Sequence, residues 1–539
     1  MTIVLVSIDA KYIHTNNAVR LLKANSSFPI DILEYTIKDD PTQMVQDIRD
    51  KLPDVIGFSV YIWNVEQIKV VLTQLSDLDA TIILGGPEVS YDPEYFLSFE
   101  AVDAIVRGEG EITFQRLLER LVKKEPYADL DGIAIRDGSR ILVNPIVEIP
   151  DLSMLRSPHH FDSDLQHLAH RIAYVESSRG CPFRCSYCLS SLEERVRFFP
   201  VETVQTDILH LMDNGVRTIK FLDRTFNANR NTMTLLDFII RHDNGDTVFQ
   251  FEITGDILDP AIIQYLNTHA RPGLFRFEIG IQSTNETTNA LVDRNQDTKR
   301  LFERIKDIQR AGVIDLHLDL IAGLPMEDKA SFIRTFDEVF HLGAKELQLG
   351  FLKMLRGTKI RREADKYAYA YDEQAPYEIR SNHVLSETDV AEIKAVETML
   401  ELYHNKGHFG PRLHAHILAQ ESPYAFFRNL AKHYDKHNYG THRYQLEDLY
   451  QRLEETLSDD LTFRIRQDYL EHFPIKPKRY FPSTVDRQTR QTILQRISTT
   501  EHIPLHQLYK HSVLLVHGDE AFCAYYQHGS CRSYTTKAP

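Results

Sequence analysis

The sequence predicts an α/β protein: a doubly wound parallel sheet, then a partial (β/α)6 barrel of the TIM type, then a mostly helical last third. Three observations predict it. Short apolar, β-branched runs alternate with helical patterns through the first 145 residues. The alternation restarts at Ile172 and continues to about residue 365, and beyond that the strand signal fades. Runs that are apolar throughout suit strands covered on both faces, and strict alternation with helices implies parallel connections.

In the first segment the strand runs are Ile3–Ser7, Val55–Tyr61, Thr81–Leu84 and Ala104–Val106, separated by helical patterns such as Val65–Leu75 and Ile112–Lys123. Gly85-Gly86-Pro87 and Gly108-Glu109-Gly110 each follow a strand directly. Ligands of doubly wound sheets bind at such strand ends. Residues 126–170 are poorer in pattern and predict a small hairpin, Gly132–Arg136 with Ile141–Asn144, followed by a linker. From Ile172 the strands are Ile172–Ser177, Thr218–Leu222, Val248–Ile253, Phe275–Ile281, Leu316–Ile321 and Glu346–Leu352. The helices between them are Glu202–Asp213, Asn231–His242, Ala261–Asn267, Thr298–Ala311 and Lys329–His341, with Gly215, Gly312 and Gly343 placed as C-caps. In the last third, 386–406 and 445–470 read as amphipathic helices and 512–527 as a terminal hairpin. The expected domains are 1–145, a linker 146–170, the barrel 171–365 and a helical domain 366–539.

Composition narrows the function. The 539 residues carry 62 Lys and Arg against 77 Asp and Glu, a net charge of −15, which argues against general nucleic-acid binding. The longest apolar run, Val55–Trp63, is about half of the roughly 20 residues a membrane-spanning helix needs. The N-terminus reads as a buried strand, with neither the basic start nor the cleavage pattern of a signal peptide. Five cysteines, an odd number, do not make a secreted disulfide framework. The expectation is a cytoplasmic protein with no membrane span.

Three of the cysteines lie within eight residues: Cys181-Pro-Phe-Arg-Cys185-Ser-Tyr-Cys188, spaced C-x3-C-x2-C, in a loop at the C-terminal end of the first barrel strand. Three thiolates on one short loop can hold three irons of a [4Fe-4S] cluster and leave the fourth iron open. A zinc site lacking its fourth ligand and three free cysteines are the alternatives. Other polar residues collect at the ends of the following strands: Asp223, Glu252 and Asp256, Glu278 and Gln282, and the segments Asp319–Pro325 and Leu349–Thr358. Catalytic residues of parallel barrels sit there.

Residues 170–365 thereby resemble the radical S-adenosylmethionine (SAM) superfamily. The resemblance implies that Cys181, Cys185 and Cys188 hold a [4Fe-4S] cluster and that the amino and carboxylate groups of SAM chelate the open iron. One electron then cleaves SAM to a 5′-deoxyadenosyl radical. By the same resemblance Tyr187 packs near the adenine and Asp223 takes the SAM amino group. Glu278 and Gln282 contact ribose and carboxylate, and Glu252 and Asp256 face SAM or the substrate. Each carboxylate has a structural alternative as the partner of Arg224, Arg276 or Arg294. The implied partners are a low-potential electron donor of the flavodoxin or ferredoxin type and a small-molecule, natural-product-like substrate.

The first domain resembles the Rossmann-like cobalamin-binding domain that precedes many radical SAM barrels. The residues that carry this are Ser59-Val-Tyr61, Gly85-Gly86-Pro87-Glu88 and Arg107-Gly108-Glu109-Gly110-Glu111. A dinucleotide domain is disfavoured because no G-x-G-x-x-G opens the first helix. The D-x-H-x-x-G segment whose His ligates cobalt is absent; His14 lies in the corresponding loop at altered spacing, either as an axial ligand or as a capping residue. The domain order resembles cobalamin-dependent radical SAM proteins, with an uncharacterised domain appended. The implied reaction is methyl transfer to an unactivated carbon or phosphorus centre. Its rivals are a cobalamin-assisted cyclisation, rearrangement or oxidation, radical chemistry beside an empty N-terminal scaffold, and a non-catalytic metal-binding module. The last third is rich in His, which reads as a solvated or substrate-facing helical cap.

Overall fold

The computed structural model describes every residue except 194 and 479–484. Residues 1–332 and 348–390 form one compact unit, and 333–347 with 391–539 form a second.

The first unit opens with a seven-stranded sheet in the order Asp31–Thr36, Ile3–Asp9, Val55–Ser59, Thr81–Gly85, Ala104–Val106, Ile133–Asp137, Arg140–Val143. The first five strands are parallel and the last two run antiparallel as a hairpin. Every residue of Ile3–Asp9 and Val55–Ser59 is buried, because helices cover both faces. Val4, Val6, Ile8, Ile56 and Phe58 pack on Met44, Ile48, Ile68 and Leu72. Ile3, Leu5 and Val55 pack on the other side against Phe114, Leu117 and Leu118. The strand order reverses between Ile3–Asp9 and Val55–Ser59, which opens a crevice at their C-terminal ends. Asp31–Thr36, absent from the sequence reading, is an edge strand; Asp31 and Glu34 interrupt its apolar residues Ile32, Leu33 and Tyr35, which are only partly buried.

A six-stranded sheet follows: Ile172–Val175, Thr218–Phe221, Val248–Ile253, Phe275–Gln282, Asp315–Ala322 and Glu346–Phe351, neighbours in sequence order. The first five pair in parallel. Burial alternates with period two. Phe221, Phe249, Phe251, Phe275, Phe277 and Ile279 are buried, as are the covering-helix residues Ile208, Leu236 and Ile305. The alternate positions share the other face, where register aligns Tyr174 with Lys220, Lys220 with Gln250, Gln250 with Arg276, and Glu252 with Glu278 and His317. The inner face of this barrel is therefore polar.

Buried charge pairs join the two sheets. Arg20, only 4% exposed, reaches Glu34 at 3.0 Å and Asp164 at 2.6 Å, while Arg171 reaches Glu34 at 2.8 Å. The loop after Ile3–Asp9 lies along the edge of the first barrel strand: Ile172 N donates to Ile13 O at 2.8 Å and Thr15 Oγ1 to Ile172 O at 2.5 Å.

The second unit contains helices Pro411–Leu418, Pro423–His437, Leu446–Glu454, Asp459–His472, Arg487–Glu501 and Leu505–His511. It ends in a three-stranded antiparallel sheet, Ser512–His517, Glu520–Gln527 and Ser530–Lys537. The expected hairpin thus gains a third strand, a largely exposed polar edge without an apolar run.

Removing one partner of a buried ion-pair network leaves the others uncompensated, at a cost of about 3 kcal/mol or more. Arg20→Ala is expected to lower the urea midpoint of the first unit's unfolding by a corresponding amount, with Arg20→Lys intermediate. An unchanged midpoint by circular dichroism would show that Glu34 and Asp164 do not depend on Arg20.

Candidate functional site

The cysteine loop is closed at its base and pinned in its middle. Ser178–Arg179 pairs antiparallel with Arg197–Phe198. Gly180 takes φ +92, and a Cβ there would meet Arg195 O at 2.3 Å, so only glycine fits before Cys181. Further along, Ser186 N donates to Val292 O at 2.9 Å, and Ile360 N donates to Ser186 O at 3.0 Å. Cys185 is buried, and Cys181 and Cys188 are half-buried. Burial pushes the Cys181 thiol up, opposed by hydrogen bonds from the backbone and from Thr225, whose Oγ1 lies 3.6 Å from its sulfur.

Arg294 supplies a cation at the cysteine loop. Its Nη1 is 3.8 Å from Cys185 Sγ and 3.3 Å from Tyr187 Oη, and its Nη2 donates to Gly280 O and Gln296 Oε1. The sequence offers Arg294 as a carboxylate partner; the structure turns it to a thiol and a phenol.

Asp223 is bonded to the two serines that precede the cysteine loop. It is 1% exposed, and its carboxylate accepts from Ser177 N at 2.8 Å, Ser177 Oγ at 2.5 Å and Ser178 Oγ at 2.6 Å. It fixes the strand end from which the cysteine loop springs. Burial pushes its carboxyl up to about 6 against these hydrogen bonds.

Glu252 and Glu278 meet around Lys220, at 3.9 and 3.1 Å, and Gln250 Nε2 donates to Glu278 at 2.9 Å. Arg224 lies 3.6 Å from Glu252, in agreement with the structural alternative for that carboxylate. Asp256 accepts from Asp297 N at 3.0 Å through Oδ2, and its buried Oδ1 has no hydrogen-bond partner. Gln282, at φ +67, folds over Gly280, where a Cβ would meet its Nε2 at 2.3 Å, and its Oε1 is likewise buried and unpartnered. Two orphaned acceptors at the end of the barrel are what a donor-bearing ligand would satisfy.

The N-terminal candidates divide. Ser59, Tyr61 and His14 flank the crevice at the switch point. Tyr61 stacks on Trp63 with ring centres 4.3 Å apart, and Trp63 is 45% exposed while its Nε1 donates to Ile8 O at 3.2 Å. Ile13, 44% exposed, lies in the loop that follows the strand Ile3–Asp9. Burial, with Asp9 and Glu176 nearby, pushes the Tyr61 phenol up. Ser59 Oγ accepts from Asn16 at 3.0 Å. His14 Nδ1 shares a 2.6 Å hydrogen bond with Tyr174 Oη, and burial, then Lys11 and Lys220, lowers its pKa. One of its two ring nitrogens is therefore already engaged toward the barrel.

The glycines and Glu109 are also tied into the protein itself. A Cβ on Gly86 would meet Val60 O at 2.5 Å, and one on Gly108 would meet Ile146 Cγ2 at 2.6 Å, both at positive φ; Gly85 only approaches Val106 O. Glu109 accepts from Ile149 N at 2.6 Å and from Arg197 at 2.7 Å, beside Arg179, which also pairs with Glu111 at 2.7 Å. The end of the first sheet is thus bonded to the base of the cysteine loop. Trp63, Thr225 and Lys220 escaped sequence reasoning because none belongs to a spaced motif.

A family model described as the radical SAM superfamily matches residues 175–339. That segment is thus similar to the radical SAM superfamily. The chain also matches a B12 binding domain at residues 4–118 and a protein family of unknown function (DUF4080) at 365–511. It is 24% identical over 325 residues to an uncharacterized methyltransferase of Pyrococcus horikoshii, covering 57% of this chain and 68% of that protein. To the cobalamin-dependent radical SAM methyltransferase TokK of Streptomyces tokunonensis it is 26% identical over 320 residues, covering 53% of this chain. The match spans less than half of that relative, 45% of its length. Its fold is similar to that of the cobalamin-dependent SAM radical enzyme OxsB with aqua-cobalamin bound, at a TM-score of 0.63 and 15% identity over 87% of this chain and 78% of that one. It is also similar to the radical SAM methyltransferase TsrM of Kitasatospora setae, at a TM-score of 0.59 and 16% identity over 69% and 77% of the two chains.

The raised Asp223 carboxyl has a pH consequence. The folded state holds this proton above the ordinary carboxylate value of 3.8, so its contribution is fully present below that value and is lost as pH rises through about 6. Relative to Asp223→Asn, the wild type should lose up to about 3 kcal/mol of stability between acid and neutral pH. Urea titrations at the two pH values check this; parallel losses in both proteins would contradict it.

Proposed function

We propose that this chain is a cobalamin-dependent radical SAM methyltransferase acting on an unactivated carbon or phosphorus centre of a small molecule. The observation that carries the reading is the placement of the C-x3-C-x2-C loop. Its base is ion-paired to the C-terminal end of the N-terminal sheet, the same end at which the switch-point crevice opens and Trp63 is exposed. A stacked aromatic pair, Tyr61 on Trp63, at a switch point suits a flat corrin ring.

When bound, a [4Fe-4S] cluster and SAM supply a 5′-deoxyadenosyl radical and cobalamin carries the methyl group, while the protein supplies position and electrostatics. Cys181, Cys185 and Cys188 would hold the cluster. Arg294 places a positive charge 3.8 Å from Cys185 Sγ, where it offsets thiolate charge. Asp223 acts through Ser177 and Ser178 as a positioning residue for the loop. Asp256 Oδ1 and Gln282 Oε1 offer acceptors to the amino and hydroxyl groups of SAM. Glu252, Glu278 and Lys220 give the barrel a charged inner face for the substrate's polar groups. His14 and Tyr174 close the barrel's first edge from the N-terminal side. A low-potential reductant of the flavodoxin or ferredoxin class would deliver the electron in a reducing cytoplasm.

Anaerobic reconstitution with cobalamin, followed by iron, corrinoid and product analysis, tests this. Cys185→Ala is expected to lose the cluster and all 5′-deoxyadenosine formation. Trp63→Ala should keep the iron while retaining much less corrinoid. S-adenosylhomocysteine formed alongside 5′-deoxyadenosine supports methyl transfer; its absence in the presence of cobalamin and accepted substrate would overturn it.

A further inference from the structure

Two histidines and a glutamate in the second unit meet without any part in the site described above. His433 and His437 lie four residues apart near the end of the helix Pro423–His437, so both imidazoles leave the same face. Glu455 follows the helix Leu446–Glu454 directly. His433 Nε2 lies 2.8 Å from Glu455 Oε2, and the two imidazole centres are 4.3 Å apart. One donor atom from each residue lies within 4.8 Å of the other two, and among the described residues this is the one group of three His, Cys, Asp or Glu that does so.

The surroundings orient the donors. His437 Nδ1 is 3.0 Å from His433 O. A carbonyl oxygen can only accept, so Nδ1 carries the proton and Nε2 presents its lone pair. Metal-bound histidines are held in this way, with the far ring nitrogen donating to a carbonyl or carboxylate. Tyr439 Oη donates to Glu455 at 2.8 and 3.0 Å, which fixes the carboxylate's direction. Both histidines sit in the last two turns of their helix, whose C-terminal carbonyls favour a cation.

Two imidazole nitrogens with one carboxylate oxygen form the donor set of an open zinc site, where water takes the fourth position. Magnesium and calcium prefer all-oxygen shells. The remaining histidines of the last third lack such a third ligand among the described residues; His404 and His414 stack at 5.0 Å. We propose that His433, His437 and Glu455 bind one zinc ion. The ion ties the end of one helix to the turn after the next, and its open position gives this part of the chain a Lewis-acid centre separate from the cysteine loop.

Full-length protein carrying its reconstituted cluster, dialysed anaerobically against micromolar zinc chloride, tests this. Wild type and His442→Ala, an exposed histidine outside the trio, should each take up one zinc per chain. His437→Ala and Glu455→Gln should bind it at least about tenfold more weakly, with circular dichroism and iron content unchanged. Equal uptake by all four proteins, or none by wild type, would overturn the proposal. Zinc-edge X-ray absorption on the wild type does not depend on how the variants fold: a nitrogen and oxygen shell with imidazole scattering is expected, and sulfur scattering would place the zinc on cysteines instead.

Discussion

Arg179 and Arg197 form the base of the cysteine loop and reach Glu109 and Glu111 at the end of the N-terminal sheet. Each is at most 10% exposed at its side chain, so each has given up hydration that only its partners replace. At an effective dielectric of about 20, two charges 4 Å apart attract by about 4 kcal/mol, which is comparable with the desolvation they suffer. Such a seam adds little net stability, yet a shifted alignment would strand buried charge. It fixes the base of the loop to the end of the N-terminal sheet in one alignment.

The same logic extends inward. Asp223 commits its whole carboxylate to Ser177 and Ser178, and Arg294 bridges Cys185, Tyr187 and Gly280. The cysteines are therefore held from three directions: the barrel strand below, the N-terminal sheet at the base, and the segments after Phe275–Gln282 and Glu346–Phe351 in the middle. Preorganisation of this kind lowers the reorganisation a bound cofactor would otherwise require. The acceptors that remain unsatisfied, Asp256 Oδ1 and Gln282 Oε1, lie where a ligand's donors would complete them.

Both sheets and the cysteine loop were legible because their signals are local: apolar runs between helical patterns, and three thiols within eight residues. Asp31–Thr36 and Ser530–Lys537 were not, since edge strands half open to water need no apolar run. Residue roles were harder still. Gly86 and Gly108 are needed where Val60 and Ile146 approach, and Glu109 pairs with Arg197. Those partners lie 26 to 88 positions away in the chain, a distance that no spacing rule spans. Trp63 was invisible for the opposite reason, as a single aromatic residue whose meaning comes only from the crevice it borders.

On the proposed reading, a corrinoid in the switch-point crevice and a cluster on the cysteine loop should be magnetically coupled when both are filled. Electron paramagnetic resonance on protein loaded with both cob(II)alamin and the reduced cluster addresses this directly. Mutual broadening and faster relaxation of the two signals, absent from singly loaded samples, is the result the structure predicts. A spectrum that is the plain sum of two independent centres would contradict it.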